Sequence, residues 1–171
     1  AIDSFGHAAQ SHGLHLRAMI QASICQDELG RTEDALATLQ ALRNRYPDSA
    51  EVANSLGYFL AEKNQDLQYA EQLIEQALAD DGGNGAYLDS LGWLYYRQGR
   101  FDEALDLLIR AVNVLPDDPV ILEHLGIVLH QRGQHAEALD ILRRSLTLGG
   151  DRERLAPLLR AVQEALAGQR D

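Results

Sequence analysis

A pattern of apolar and small residues that returns every 34 positions constrains this chain more than any other feature. It is fullest in residues 85–118. Leu88, Leu91 and Tyr95 stand at i, i+3 and i+7, the spacing that gathers side chains on one face of a helix. Gly92 sits beside that stripe. The polar run Arg97-Gln98-Gly99-Arg100 interrupts it, a second stripe follows at Ala104, Leu107, Leu108 and Ala111, and Pro116 closes the unit. Two amphipathic helices joined by a short turn make a hairpin too small to bury its own apolar face, so copies must stack on it.

The copies are present. Moving 34 residues on places Leu122, Leu125, Gly126, Leu129, Ala138, Leu142 and Ser145 on the same positions. Moving back gives Ala53, Leu56, Gly57 and Leu60. After a slip of one residue within 62–68 come Ala70, Ile74 and Ala77. An insertion in the turn between helices is cheap, because loop-closure entropy grows slowly with length. An earlier and weaker copy reads Met19, Ala22, Ser23, Ala35, Leu39, Leu42 and Pro47, with polar Gln26 on the Tyr95 position.

The motif Leu88-x-x-Leu91-Gly92-x-x-Tyr95, with Ala104, Leu108, Ala111 and Pro116, resembles the tetratricopeptide repeat, with Leu88 in place of the usual Trp. The resemblance implies an all-α fold, a right-handed α-solenoid of stacked helical hairpins with a C-terminal capping helix. It covers about nine-tenths of the chain. The expected units are residues 16–49, 50–84 (with the one-residue insertion), 85–118 and 119–152, then a capping helix over 153–171. Ala1, Phe5, Ala8 and Gly13 fall on the positions of Ala104, Leu108, Ala111 and Pro116. Residues 1–15 are therefore expected to be the second helix of a truncated preceding repeat, and the chain a piece of a longer protein. Phe5 would then lack its partner helix and offer an open end for self-association.

Turn chemistry sharpens these expectations. Gly30, Gly99 and Gly133 share one inter-helix position, where a left-handed backbone favours glycine. Asp48 with Glu51 looks like a capping box, and Asp118 before Pro119 is a cap followed by an N1 proline. Pro157 is expected near the true start of the last helix, after a turn at 151–155. Gly57, Gly92 and Gly126 are expected to let the two helices of each hairpin approach closely, facing Ala70, Ala104 and Ala138.

Composition excludes several classes. A formal charge of −11 argues against a phosphate-backbone binder, which needs a basic face. No apolar run reaches the ~18 residues of a membrane span, and no basic leader with an apolar core is present. One cysteine, Cys25, allows no internal disulfide, and with no nucleophile motif nearby it reads as a small core residue. His7, His12 and His15 are loosely spaced at a helix end and read as solvated. His124, His130 and His135 form no HExxH, and helix register is expected to separate their faces. The run Asp80-Asp81-Gly82-Gly83-Asn84-Gly85 lacks the Gly-Lys-Ser/Thr ending of a phosphate loop. No cofactor, metal or catalytic residue is expected, and the chain reads as a non-enzyme.

Function is expected on the concave face, which the resemblance assigns to first-helix residues between the core positions. These are Asn54, Tyr58, Ala61 and Glu62; then Asp89, Trp93, Tyr96 and Arg97; then Glu123, Ile127, His130 and Gln131; with Ile20, Ile24 and Asp27 as weaker equivalents. Tyr58, Trp93, Tyr96 and Ile127 would form an apolar stripe flanked by Asn54, Asp89, Arg97, Glu123 and His130. Trp93 is expected to be at least partly exposed there, the alternative being packing between adjacent first helices. A carboxylate clamp of the kind that grips chaperone tails does not match, because these faces carry Asn54 but no Lys. A protein or peptide ligand with apolar anchors, and basic residues meeting Asp89 and Glu123, fits better.

The chain is thus expected to be an interaction scaffold or adaptor. Residues 50–115 are similar to the C-terminal repeats of bacterial envelope lipoproteins. That similarity implies an adaptor for a periplasmic protease or for a secretion or export assembly, and a periplasmic or outer-membrane location. Otherwise the location would be cytoplasmic. The alternatives are the non-catalytic repeat region of a larger enzyme such as a glycosyltransferase, or a self-assembly module.

Overall fold

The computed structural model describes residues 2–168, with side chains from residue 13 onward. Among the described residues there are nine helices and no strand. They are α1 (Ile2–Glu28), α2 (Thr32–Arg45), α3 (Ala50–Glu62), α4 (Leu67–Asp80), α5 (Gly85–Arg97), α6 (Phe101–Val114), α7 (Pro119–Gln131), α8 (His135–Thr147) and α9 (Arg152–Gly168). Each odd helix pairs with the even helix that follows. Even helices then pack on the next odd one, and α3, α5, α7 and α9 pack in a row. This is an α-solenoid of helical hairpins, each resting only on its neighbours.

Local chemistry sets the helix starts. The Asn84 side-chain oxygen accepts from the Ala86 and Tyr87 amides, and Asp118 does the same for Val120 and Ile121 ahead of Pro119. At α3 the cap is Ser49, whose hydroxyl accepts from the Val52 amide at 3.3 Å. The expected Asp48–Glu51 box is therefore corrected by one residue, because Ser49 holds the extended backbone that a cap needs. Gly30, Gly99 and Gly133 have φ of 75°, 79° and 77°. The longer turn before α4 lacks glycine and places Asn64 (φ 54°) and Asp66 (φ 36°) in the left-handed region, which short polar side chains tolerate best. Asp66 then caps α4 through the Tyr69 amide.

Within each hairpin a glycine sets the distance between axes. A Cβ at Gly57 would lie 2.6 Å from Ile74 Cγ1, at Gly92 2.8 Å from Leu108 Cγ, and at Gly126 2.5 Å from Leu142 Cγ. The facing atoms are those large side chains and, at the first two positions, the carbonyls of Ala70 and Ala104. Ala70, Ala104 and Ala138 are themselves fully buried.

Three expectations are corrected. The expected units 1–15 and 16–49 are not separated by a turn: α1 is continuous through Gly13, since one glycine weakens a helix by only ~1 kcal/mol and does not end it. The side chain of Phe5, and with it the expected open end, lies outside the described residues. Pro157 lies inside α9 rather than at its start. Asp151 caps that helix through the Glu153 and Arg154 amides, Leu155 and Val162 are buried, and Pro157 is exposed where one lost amide bond is tolerable. Cys25 is exposed, not core. It stands two positions past buried Ser23, roughly 200° around the helix.

Candidate functional site: an inner cleft at the N-terminal half

The inner wall is built from the odd helices. Between α1 and α3 the backbones make no close approach comparable to that of α3 with α5. The two are instead strutted at either end by ion pairs. Arg17 meets Glu51 at 3.2 Å, and Lys63 meets Asp27 at 2.7 Å. The space between the struts is a cleft of about 550 Å³ that continues onto the start of α5. Ile20, Ile24, Leu39, Tyr58 and Phe59 supply its apolar surface, and Asn54, Glu62, Tyr87, Asp89 and Ser90 its polar surface. Ile24 presents its side chain to the cleft at 45% exposure.

Asn54, Tyr58 and Asp89 come together here. Ile20, Ile24, Asp27 and Glu62 of the expected inner face line it too, whereas Trp93, Tyr96, Arg97, Glu123, Ile127 and His130 do not. Trp93 is buried at 5% exposure, which overturns the expectation that it is open to a groove. Its ring stacks on His124 with centroids 4.2 Å apart and on Tyr96 at 4.9 Å, and its Nε1 donates to Glu62 Oε2 at 2.6 Å. It is the packing element between three successive first helices. Glu123 is also buried and meets Arg154 of α9 at 2.9 Å. Asp89 is bonded to His124 Nδ1 at 2.8 Å. These two carboxylates are therefore already engaged within the fold, which corrects their expected role in meeting basic residues of a ligand. Ile127 packs against the core. Tyr96 and Arg97 edge a shallow depression near the turns, with Asn64, Phe101 and Gln131. His130 lies at the same end. Its Nδ1 is 3.0 Å from that of His135 across the α7–α8 turn, so register does not keep these two apart as expected. No group of three or more His, Cys, Asp or Glu that could hold a metal gathers among the described residues.

His124 was not among the expected site residues. It sits on the position of Ser90, one residue past the expected inner face, and a histidine there gave no periodic signal. It is fully buried, and its Nε2 has no hydrogen-bond partner in the structure. Burial alone would push its imidazolium down. The charge and hydrogen bond of Asp89, with Glu62 and Glu123 adding, outweigh that and lift His124 above its ordinary value. Burial, then the carboxylates Glu62 and Asp89, push the Tyr58 phenol far up, which keeps it a neutral hydrogen-bonding group in the cleft. Burial and the neighbouring His135 hold His130 below its ordinary value.

Two tetratricopeptide repeat models match the chain, one over residues 90–153 and one over residues 17–49, together more than half of it. The chain is a tetratricopeptide repeat protein. This repeat protein is 35% identical over 107 residues to the TPR repeat-containing protein PA4667 of Pseudomonas aeruginosa. The match takes in 63% of this chain but only 17% of that relative's length. Among solved structures it is similar to pilF of Pseudomonas aeruginosa, with a TM-score of 0.68 and 26% identity over 91% of this chain and 69% of that one. It also shares the fold of a thermophilic TPR protein, TTC0263 of Thermus thermophilus (TM-score 0.70, 21% identity, 93% and 87% covered). Tetratricopeptide repeats indicate an interaction scaffold with protein partners, on a fold that is typically non-catalytic. Among the described residues no helix is long and apolar enough to cross a membrane.

Proposed function

We propose that this protein is an adaptor that takes a segment of a partner protein into the cleft between α1, α3 and the start of α5. The observation that carries this reading is the cleft itself. It is partly apolar, strutted open by two ion pairs, and bounded by Asn54 and Tyr58. Along the rest of the inner wall Trp93, His124 and Glu123 are spent on packing, so a ligand has less surface to engage there. Tyr58 is the anchor: an aromatic ring with a hydroxyl gives contact area at low entropic cost.

The finer role is an adaptor in a bacterial envelope assembly, serving a protease, secretion or export machine. What supports it is the similarity of residues 50–115 to envelope lipoprotein repeats. The test is a pull-down with the intact chain, Tyr58→Ala, and Ile109→Ala on the outer surface. Loss of the partner in Tyr58→Ala alone, with helicity kept, supports the cleft. Equal binding by all three places the interaction elsewhere. Fractionation of cells making the full-length gene product tests the envelope location.

A further inference from the structure

Four carboxylates line the cleft: Asp27, Glu51, Glu62 and Asp89. Three are paired, Asp27 with Lys63, Glu51 with Arg17 and Asp89 with His124. Glu62 is different. No cation pairs with it among the described residues, and its one hydrogen bond comes from a neutral group, the Trp93 indole. That bond holds the carboxylate in place without pairing its charge, which the fold offsets only at a distance, through His124. Trp93 is itself held by stacking on His124, so the orientation of Glu62 is rigid. Among the described residues, the cations at the two ends of the cleft are already engaged, Arg17 by Glu51 and Lys63 by Asp27.

Resting on the reading of this cleft as a peptide site, we propose that it selects an extended segment bearing a lysine or arginine beside bulky apolar residues. The cation seats on Glu62, and the apolar side chains lie against Ile20, Ile24, Tyr58 and Phe59. Charge complementarity decides the class of ligand. An acidic tail or a free C-terminal carboxylate would be repelled by Glu62 and would find the cleft's cations already paired, whereas a basic group supplies the missing partner of a half-buried anion. Glu51 and Glu62 lie eleven residues apart on α3, about 16 Å along the axis, room for about five extended residues. The segment is thus short, with its cation toward the Glu62 end.

The experiment uses the intact chain and three fluorescein-labelled nonapeptides. They share a leucine- and isoleucine-rich frame and differ at one central position, which is arginine, its neutral isostere citrulline, or glutamate. Affinities are read by fluorescence anisotropy. The arginine peptide is expected to bind about tenfold more tightly than the citrulline peptide, the size of one charge-assisted hydrogen bond, with the glutamate peptide weakest. Glu62→Gln keeps an oxygen for the Trp93 indole and should erase the arginine preference, so that the arginine and citrulline peptides bind this variant alike. Tyr58→Ala should weaken all three. If all three bind alike and Tyr58→Ala weakens them, the cleft reading stands and charge selection is wrong. An arginine preference that survives Glu62→Gln also overturns the proposal, by placing the recognised charge elsewhere. Binding that ignores Tyr58→Ala, or no binding at all, removes both readings. Should Glu62→Gln fail to fold, the unaltered chain at low and high salt still decides. The arginine preference must shrink several-fold as salt rises, and a salt-independent preference contradicts the proposal.

Discussion

Substituting Gly92 tests how the hairpins are held together. An alanine Cβ there would lie 2.8 Å from Leu108 Cγ and 3.3 Å from the Ala104 carbonyl oxygen, closer than carbon atoms pack. Leu108 is fully buried and Cγ is its branch point, so the clash is not relieved by swinging a flexible tip. Overpacking of this kind costs about 1–3 kcal/mol. Against it stands the roughly 1 kcal/mol that alanine gains over glycine inside a helix. Gly92→Ala should therefore fall between neutral and about 2 kcal/mol destabilised, and Gly92→Leu, with three more carbons to place, should lose about 3 kcal/mol or more. Gly13 is the control. It lies in α1 with no atom within 4 Å of its built Cβ, so Gly13→Ala should gain about 0.5–1 kcal/mol. Urea unfolding followed by far-ultraviolet circular dichroism reads the series. A Gly92→Leu midpoint equal to that of the unaltered chain, or a Gly92→Ala gain matching Gly13→Ala, would refute the close approach.

Further outcomes follow from the inner wall. Trp93→Ala removes a buried ring and should cost about 3–5 kcal/mol, visible as lost helicity on mild heating; a melting curve unchanged from the parent would mean the ring is not packed. Arg154→Ala strands the buried Glu123 carboxylate and should cost about 1–3 kcal/mol, read as faster amide exchange confined to α9; unaltered exchange there would deny the pair any role. For pH the sign is set by His124. Its value is raised in the fold, so its stabilising contribution is full below about pH 6.5 and is lost as pH rises through the raised value. The melting temperature should then fall from mildly acidic to alkaline pH, and His124→Phe should flatten that fall. His130 is shifted the other way, so its contribution is lost on acidification, and His130→Gln should steepen the fall. A slope indifferent to both substitutions would count against these assignments.

Much of the fold was legible because a solenoid repeats its instructions. Gly57, Gly92 and Gly126 announce the close crossings, and Gly30, Gly99 and Gly133 announce the left-handed turns, each three times over. What lay outside the repeat was harder to read. Pro157 falls within a helix because Asp151 offers a better cap, a competition that spacing does not reveal. The site was legible in part for a related reason. Register puts Asn54, Tyr58, Asp89 and Trp93 on one inner wall, but it does not say how far apart successive first helices stand. Where α5 and α7 share the stacked rings of Trp93 and His124, the wall is closed. Where α1 and α3 are bridged by the Arg17–Glu51 and Lys63–Asp27 ion pairs without the close backbone approach that α3 makes to α5, it opens. That difference depends on His124 and Arg154, which occupy no repeat position that marks them, and on a width that one chain's periodicity does not encode.

The most direct measurement is a crystal structure of the intact chain with the tightest binder from an unbiased peptide-display selection. The expected result is peptide density between α1 and α3, in contact with Ile20, Asn54 and Tyr58. Density on the outer surface of α4, α6 or α8, or confined to the α7–α9 end, would contradict the placement of function in this cleft.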